Sequence, residues 1–353
     1  MMIITRKVFF ISVISLAFVL LEGGKAYCEK AYKEVRAIVH VNSDITSGGY
    51  SPEELIAKAK DKRIDAVFLT EDYHPKWEYG IFPFQHIIKR TIQRPGLLQY
   101  GIGRYDKLCG RLSNKFQGIP VIMAAEVAPF YYWTGRPFRE DFTLNDWDIQ
   151  FIVVGMAPES YKKIPTIPNG GFNYFGPKSI LLLWPILVIL LGALTLKIKT
   201  SRFCFPDIVS WMIVAVGILF LVQNYPFKVA KYDQYHGDVG IGPYQKVIDY
   251  VNSKGGMIFW SNPEAHISKR IGPVIYASKN ASEYMRTAKE YTGFACFYEG
   301  YRTIGKPGGI WDEVLIEYCK GKREKPVWAI GEIAFHKEES KVRKEIDEVQ
   351  TVL

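Results

Sequence analysis

Two stretches of this chain, residues 179–196 and 208–227, contain no charged side chain. Each approaches the ~20 residues that a helix needs to cross the hydrocarbon core of a bilayer. A buried helix of a soluble protein normally keeps a polar edge, whereas the first stretch is apolar all round, so the pair reads as a transmembrane hairpin over residues 179–227. The connector between them, 197–207, carries Lys197, Lys199 and Arg202. Positive charge in a short loop marks the cytoplasmic side. A third apolar run, 8–21, follows Arg6-Lys7 and precedes Gly23-Gly24-Lys25-Ala26. That order is the grammar of a secretory signal, so residues 1–26 form either a signal peptide or an N-terminal anchor. Both readings agree on a membrane protein with residues 27–178 and 228–353 together on the extracytoplasmic side, periplasmic or extracellular.

The remaining composition is that of a globular chain, 48% hydrophobic and 23% charged over 353 residues. Its 45 Lys+Arg against 36 Asp+Glu give a net charge of +9, but no dense basic stripe interleaves with aromatics, which excludes nucleic acid as the natural partner. Pro- and Gly-rich connectors at 165–177 and 224–243 suit linkers into and out of the hairpin. With Cys204 in the cytoplasmic loop, Cys28, Cys109, Cys296 and Cys319 fall outside, where disulfides and buried free thiols are both open.

Outside the hairpin, β-rich runs at 35–41, 66–70, 120–125, 149–154, 257–260, 294–298 and 327–331 alternate with helical patterns. Such alternation predicts parallel strands with crossover helices. Ser51-Pro52-Glu53-Glu54 supplies an N-cap, a first-turn proline and a capping box, and Gly255-Gly256 closes a later helix. About seven strand units without a dinucleotide fingerprint favour an α/β barrel, in which chemistry gathers at the C-terminal strand ends. Those ends carry His40 and Asn42, Glu71 and Asp72, Glu126, Gln150, Asn262 and His336.

His40-Val41-Asn42-Ser43, followed by Thr46-Ser47-Gly48 and Ser51-Pro52-Glu53-Glu54, resembles the opening motif of the PHP (polymerase and histidinol phosphatase) family, normally His-x-His-Ser, Ser-Asp-Gly, then Ser-Pro-Glu-Glu. Leu69-Thr70-Glu71-Asp72 looks like the family's Thr-Asp-His, and Ala124-Ala125-Glu126 like its Gly-x-Glu. Gly255-Gly256 through Ser261-Asn262-Pro263 looks like its Gly-Gly…Ala-His-Pro, and Gly331-Glu332-Ile333-Ala334-Phe335-His336 like its terminal Asp-x-His. The resemblance spans about 35–340. It implies a distorted (β/α)7 barrel, here interrupted by the transmembrane hairpin, that normally binds two or three metal ions and hydrolyses phosphoesters.

The same comparison puts Asn42, Asp72 and Asn262 where the family has His, and Ala334 where it has Asp. A two-metal cluster needs several anionic or imidazole donors, and neutral amide oxygens are weak substitutes. The expected set is at most one divalent ion on His40, Glu71, Asp72, Glu126 and His336, with Asn42 and Asn262 as weaker donors and no organic cofactor. His74 is close enough in sequence to supply a missing imidazole, although a surface position is expected for it, and His236 is expected in a turn. Two functions follow: a pseudoenzyme that binds a phosphorylated or anionic small molecule or serves envelope-protein assembly, and a metal-dependent phosphoesterase with a reduced, single-metal site. No catalytic residue is assigned.

Overall fold

The computed structural model describes residues 34–197, 207–297, 302–336 and 345–352. Residues 1–33, which hold the N-terminal apolar run and Cys28, and the connector with Lys199, Arg202 and Cys204 lie outside the described residues.

Seven strands occupy the β-rich runs read from the sequence: β1 (Arg36–Val41), β2 (Ala66–Asp72), β3 (Val121–Val127), β4 (Gln150–Val154), β5 (Met257–Ser261), β6 (Gly293–Phe297) and β7 (Trp328–Gly331). They neighbour one another in chain order. The sheet closes because residues just past β7 return to β1: Ile333 and Phe335 N–H donate to the carbonyls of Val39 and His40 at 3.1 and 2.9 Å, and Asn42 N–H to Phe335 O at 3.0 Å. A short strand, β8 (Thr351–Val352), pairs antiparallel with the start of β1. Val39, Ala124, Ile152, Val154 and Phe259 fill the lumen, and a larger apolar layer joins the outer sheet face to the helices. The expected fold class, an α/β seven-stranded barrel with two apolar helices inserted, is the one observed.

The expectation of uniformly parallel strands needs one correction. β4 runs antiparallel to both β3 and β5. No crossover helix links β3 to β4; the chain instead runs out and back at the mouth through Tyr132–Thr134 and Thr143–Asn145, and a connection that stays at one end returns an antiparallel strand. The reversal puts Gln150, at the start of β4, opposite Ser261 at the end of β5.

The helices follow their local signals. Ser51 caps α1 (Pro52–Asp61), and the Ser51–Glu54 capping box is complete, the two residues exchanging side chain to backbone bonds at 3.3 and 2.8 Å. The helix α2 (Ile102–Lys115) packs its buried face, including Tyr105 and Leu108, on the barrel.

Helices α3 (Trp184–Lys197) and α4 (Asp207–Asn224) form the apolar pair. Counted from Pro177, the first is a 21-residue span of mean hydropathy 2.5; the second has 18 residues and mean hydropathy 1.8. Glycines bring the two together: a methyl group on Gly192 would lie 2.7 Å from Val214, and one on Gly217 2.7 Å from Ile189, the close approach typical of apolar helix pairs. Thr195 Oγ1 donates to Ser210 Oγ across the pair at 2.9 Å. Leu187, Leu191, Ile208 and Trp211 point outward and are exposed. The linkers on either side pair as a two-stranded ribbon, Asn173–Tyr174 with Val229–Ala230. Beyond them, α5 (Gly242–Ser253) leads into β5, α6 (Ser282–Thr287) into β6, and α7 (Ile310–Cys319) towards β7. Cys109, Cys296 and Cys319 are free thiols.

An accessory layer unforeseen in the sequence grows from the mouth. It comprises a hairpin of Lys76–Gly80 with Lys89–Gln93 and a four-stranded sheet that includes Ile267–Ile271 and Val274–Ser278. Its own core is aromatic, with Trp77, Tyr131, Trp133, Phe142 and Tyr276 all buried.

Candidate functional site

A departure from regular β geometry near the end of β1 builds the site. His40 has φ +65°, and the pairing with β2 slips between Ile38 and Val41. The slip leaves Val39 in the lumen and Val41 in the outer layer, so His40 turns inward above Val39. Asn262 and Ala334, at the ends of two other mouth segments, are also left-handed at φ +46°. Left-handed residues other than glycine cost roughly 1–2 kcal/mol each and cluster where function constrains the backbone.

His40 is fully buried between two carboxylates. Its Nε2 lies 3.2 Å from Glu126 Oε2, and its Nδ1 meets Glu332 Oε1. Burial alone would depress the imidazole, but the charges of Glu126 and Glu332 outweigh it and raise the pKa well above its ordinary value. The raised pKa favours the imidazolium, whose Nδ1–H is bonded to Glu332; Nε2 faces Glu126 but, among the described residues, has no hydrogen-bond partner. Ser261 Oγ adds a bond to Glu332 Oε1 at 2.8 Å, and Asn42 Nδ2 one to Glu126 Oε2 at 3.5 Å. Burial pushes Glu126 up, yet the adjacent His40 cation brings its carboxyl far below the usual range. Asp72, directly across the sheet from Glu126, is pushed up by burial and by the Glu126 charge. It therefore holds the proton that the two acids share. The ring of His336 stands edge-on to His40, centroids 5.6 Å apart, with Nδ1 3.2 Å from Ser47 Oγ.

Glu71 does not join this group. It precedes Asp72 on β2, so strand alternation sends it to the opposite face, where Ser43 N–H and Oγ bond one oxygen at 3.1 and 2.5 Å and Thr46 Oγ1 bonds the other. Burial raises its carboxyl to about 7 against those bonds. Its role is to pin the 43–48 loop, whose backbone passes so close that a methyl group on Gly48 would lie 2.1 Å from Asn42 O.

A metal-bound imidazole is neutral, with one nitrogen on the ion and the other donating to an acceptor. As a cation His40 offers no lone pair, although its Nε2 is without a hydrogen-bond partner among the described residues; Glu71 is committed to a loop, and Asp72 and Glu126 share a proton. Among the described residues no three His, Cys, Asp or Glu side chains are grouped to hold a metal ion. Glu332, which stands within the last motif segment but was not expected in the site, supplies half of the clamp; the available signal was a glutamate directly after a β-run that ends in glycine.

Above the clamp opens a cavity of about 600 Å³. Asp72, Glu126, Gln150, Asn262 and His336 lie at its base, and His74 on its wall with Nδ1 buried and, among the described residues, without a hydrogen-bond partner. His74 is thus a wall residue rather than a surface one. Arg94 lies over the Trp77 ring at 5.5 Å and Lys269 over Trp147 at 5.4 Å, both at the cavity. Arg270 turns away, donating to Glu140 O at 2.7 Å. His236 is an exposed turn residue bonded to Asp233 at 2.7 Å.

No family model and no curated protein matches the chain. Among solved structures, it is similar to a protein from Bifidobacterium adolescentis assigned as a metal-dependent phosphoesterase, at 11% identity and TM-score 0.40, with 89% of this chain and 92% of that one covered. An amidohydrolase from Chromobacterium violaceum, with bound sulfate and no metal, aligns at 12% identity and TM-score 0.36 over 87% and 89% of the two chains. A two-domain protein from Bacteroides vulgatus containing a PHP-like domain aligns at 13% and 0.34 over 87% of this chain and 54% of that one. The assignment of the fold rests on this chain's own strand order and closure. With its seven strands closed in chain order and the polar residues of its motif segments gathered at one mouth, the chain has the seven-stranded α/β barrel fold that its resemblance to the PHP family implied.

Proposed function

We propose that this chain is a membrane-anchored, extracytoplasmic pseudoenzyme whose mouth binds a phosphorylated or otherwise anionic small molecule without a metal. The observation that carries the reading is His40 held between two carboxylates, its Nδ1 hydrogen-bonded to Glu332 and its Nε2 3.2 Å from Glu126. The imidazolium neutralises the carboxylates that would otherwise recruit a cation. Arg94 and Lys269 supply positive charge at the rim over aromatic rings, a setting suited to an anion. Anchoring draws support from two long apolar helices with exposed apolar faces, and the side of the membrane from Lys197, Lys199 and Arg202 between them.

A second reading, a phosphoesterase with a reduced metal site, has one observation in its favour: His74 presents an unpartnered nitrogen in the cavity that also holds Asp72, Glu126 and His336. Elemental analysis of the full-length protein in detergent, with generic phosphoesters as substrates, separates the two. The first reading expects no stoichiometric ion, no turnover, and a rise in melting temperature with inorganic phosphate that Arg94→Ala and Lys269→Ala abolish. A bound ion with brisk turnover that His74→Ala removes would establish the second.

A further inference from the structure

We infer that the accessory layer at the barrel mouth is a foot that rests in the surface of an anionic phospholipid bilayer. The inference builds on the reading of α3 and α4 as membrane spans. Segment 81–88, which joins the accessory hairpin's two strands, lies against the end of α4: His86 N–H donates to Gln223 Oε1 at 2.9 Å, and His86 Nδ1 to Gln223 O at 2.7 Å. One turn deeper, the ring of Phe84 packs on Phe220, centroids 5.1 Å apart. Phe220 precedes the helix end at Asn224 by four residues, ~6 Å along the axis, within the depth at which interfacial segments settle.

The surrounding surface fits that depth. Phe82 is 82% exposed and Phe138 93%. Ile81, Ile88, Phe138 and Ile271 line one apolar cavity of about 480 Å³ and are all exposed, an apolar patch that a soluble surface rarely carries. Lys89 and Arg90 border the same cavity, placing positive charge at headgroup level, where it meets anionic lipid. Exposed Tyr174, Phe175 and Tyr225 flank the two helices, the position of an interfacial aromatic belt. The strands of the foot leave the ends of β2, β3 and β5 that bear the site, and Trp77 lines both the apolar and the polar cavity. The ligand cavity thereby opens beside the bilayer, not into bulk solvent.

The test uses the full chain in vesicles of phosphatidylethanolamine and phosphatidylglycerol doped with a phospholipid that carries a carbene precursor in its upper acyl chain. After irradiation, labelled positions are mapped by proteolysis and mass spectrometry. The inference expects adducts in α3, α4, segment 81–88 and around Phe138. Phe82→Asp combined with Phe138→Asp should lower labelling of the foot about tenfold, as expected when a large aromatic no longer partitions into hydrocarbon, and leave the helices labelled as before. Labelled helices with an unlabelled foot would overturn the inference and spare the anchor. Unlabelled helices would overturn the anchor itself. Crosslinks joining two copies through Phe82 in place of lipid adducts would assign the patch to self-association and refute the foot.

Discussion

Replacing His40 with Gln removes a cation from between Glu126 and Glu332, which are 5% and 1% exposed, and leaves two buried carboxylates facing one neutral amide. Deleting one partner of a buried ion pair costs about 3–5 kcal/mol, because the remaining charge is desolvated and uncompensated. For a domain of this size, with about 2 °C per kcal/mol, the melting temperature should fall by roughly 6–10 °C. The pH dependence fixes the cause. The raised pKa of His40 means that its contribution is full below about pH 6.5 and is lost only as pH rises through the higher folded value; the depressed pKa of Glu126 means that its contribution is full above about pH 4.5 and is lost as pH falls. The clamp therefore stabilises most between those limits. In the variant Glu126 can take up a proton without losing a partner, so the deficit should be smaller at about pH 3.5, below those limits, than at about pH 6. Adding Glu332→Gln to His40→Gln should recover part of the loss, and manganese should stabilise the single variant but not the natural protein. Thermal unfolding followed by intrinsic fluorescence in detergent supplies all four comparisons. A loss below about 1 kcal/mol, or an equal loss at both pH values with no relief from Glu332→Gln, would refute the clamp.

Glu71→Gln tests the loop pin: with the Glu71 carboxyl at about 7, native stability is penalised progressively as pH rises from about 4.5 to 7, so the variant should gain about 3 kcal/mol relative to the natural protein between pH 4.5 and 8. Denaturant titrations at the two pH values measure the gain, and a pH-independent difference would count against it. Ala334→Gly, at φ +46°, should stabilise by about 1 kcal/mol in the same titration, whereas Gly48→Ala, which forces a methyl group onto Asn42 O, should destabilise by more than about 2 kcal/mol.

The strands were legible because short apolar runs rich in β-branched and aromatic residues, punctuated by turn residues, have few alternatives, and α1 because its capping box is local. Strand direction is not local: nothing in 149–154 says that it runs backwards, since the cause is the out-and-back path of 128–149. The helix α2 is not among the patterns legible in the sequence: Gly101, Gly103 and Gly110 interrupt it, although Gly103 and Gly110 meet nothing within 4 Å and are tolerated on an open helix face. The accessory layer is rich in Trp and Tyr at irregular spacing, and its local hairpin signal is the two-residue turn Gly272-Pro273 that joins Ile267–Ile271 to Val274–Ser278. At the site, the identities of His40, Asp72, Glu126 and His336 as mouth residues were readable, but their roles were not. Whether a buried histidine ligates a metal or carries a proton depends on what lies a few ångströms from each nitrogen, and Glu332 lies 292 positions away in sequence. Glu71 and Asp72 look alike as neighbouring acids, yet alternation sends one to a loop and the other to the lumen.

The central claim is that a protonated His40 stands where a cation would otherwise be required. Its most direct test is the ring nitrogen-15 spectrum of His40 in full-length, histidine-labelled protein at pH 7.5, assigned by loss of the signals in His40→Gln. The account predicts two protonated nitrogens with imidazolium shifts, unchanged by chelator or by added manganese or zinc. A neutral ring with one unprotonated nitrogen, or a nitrogen whose signal shifts or broadens when metal is added and returns with chelator, would contradict it.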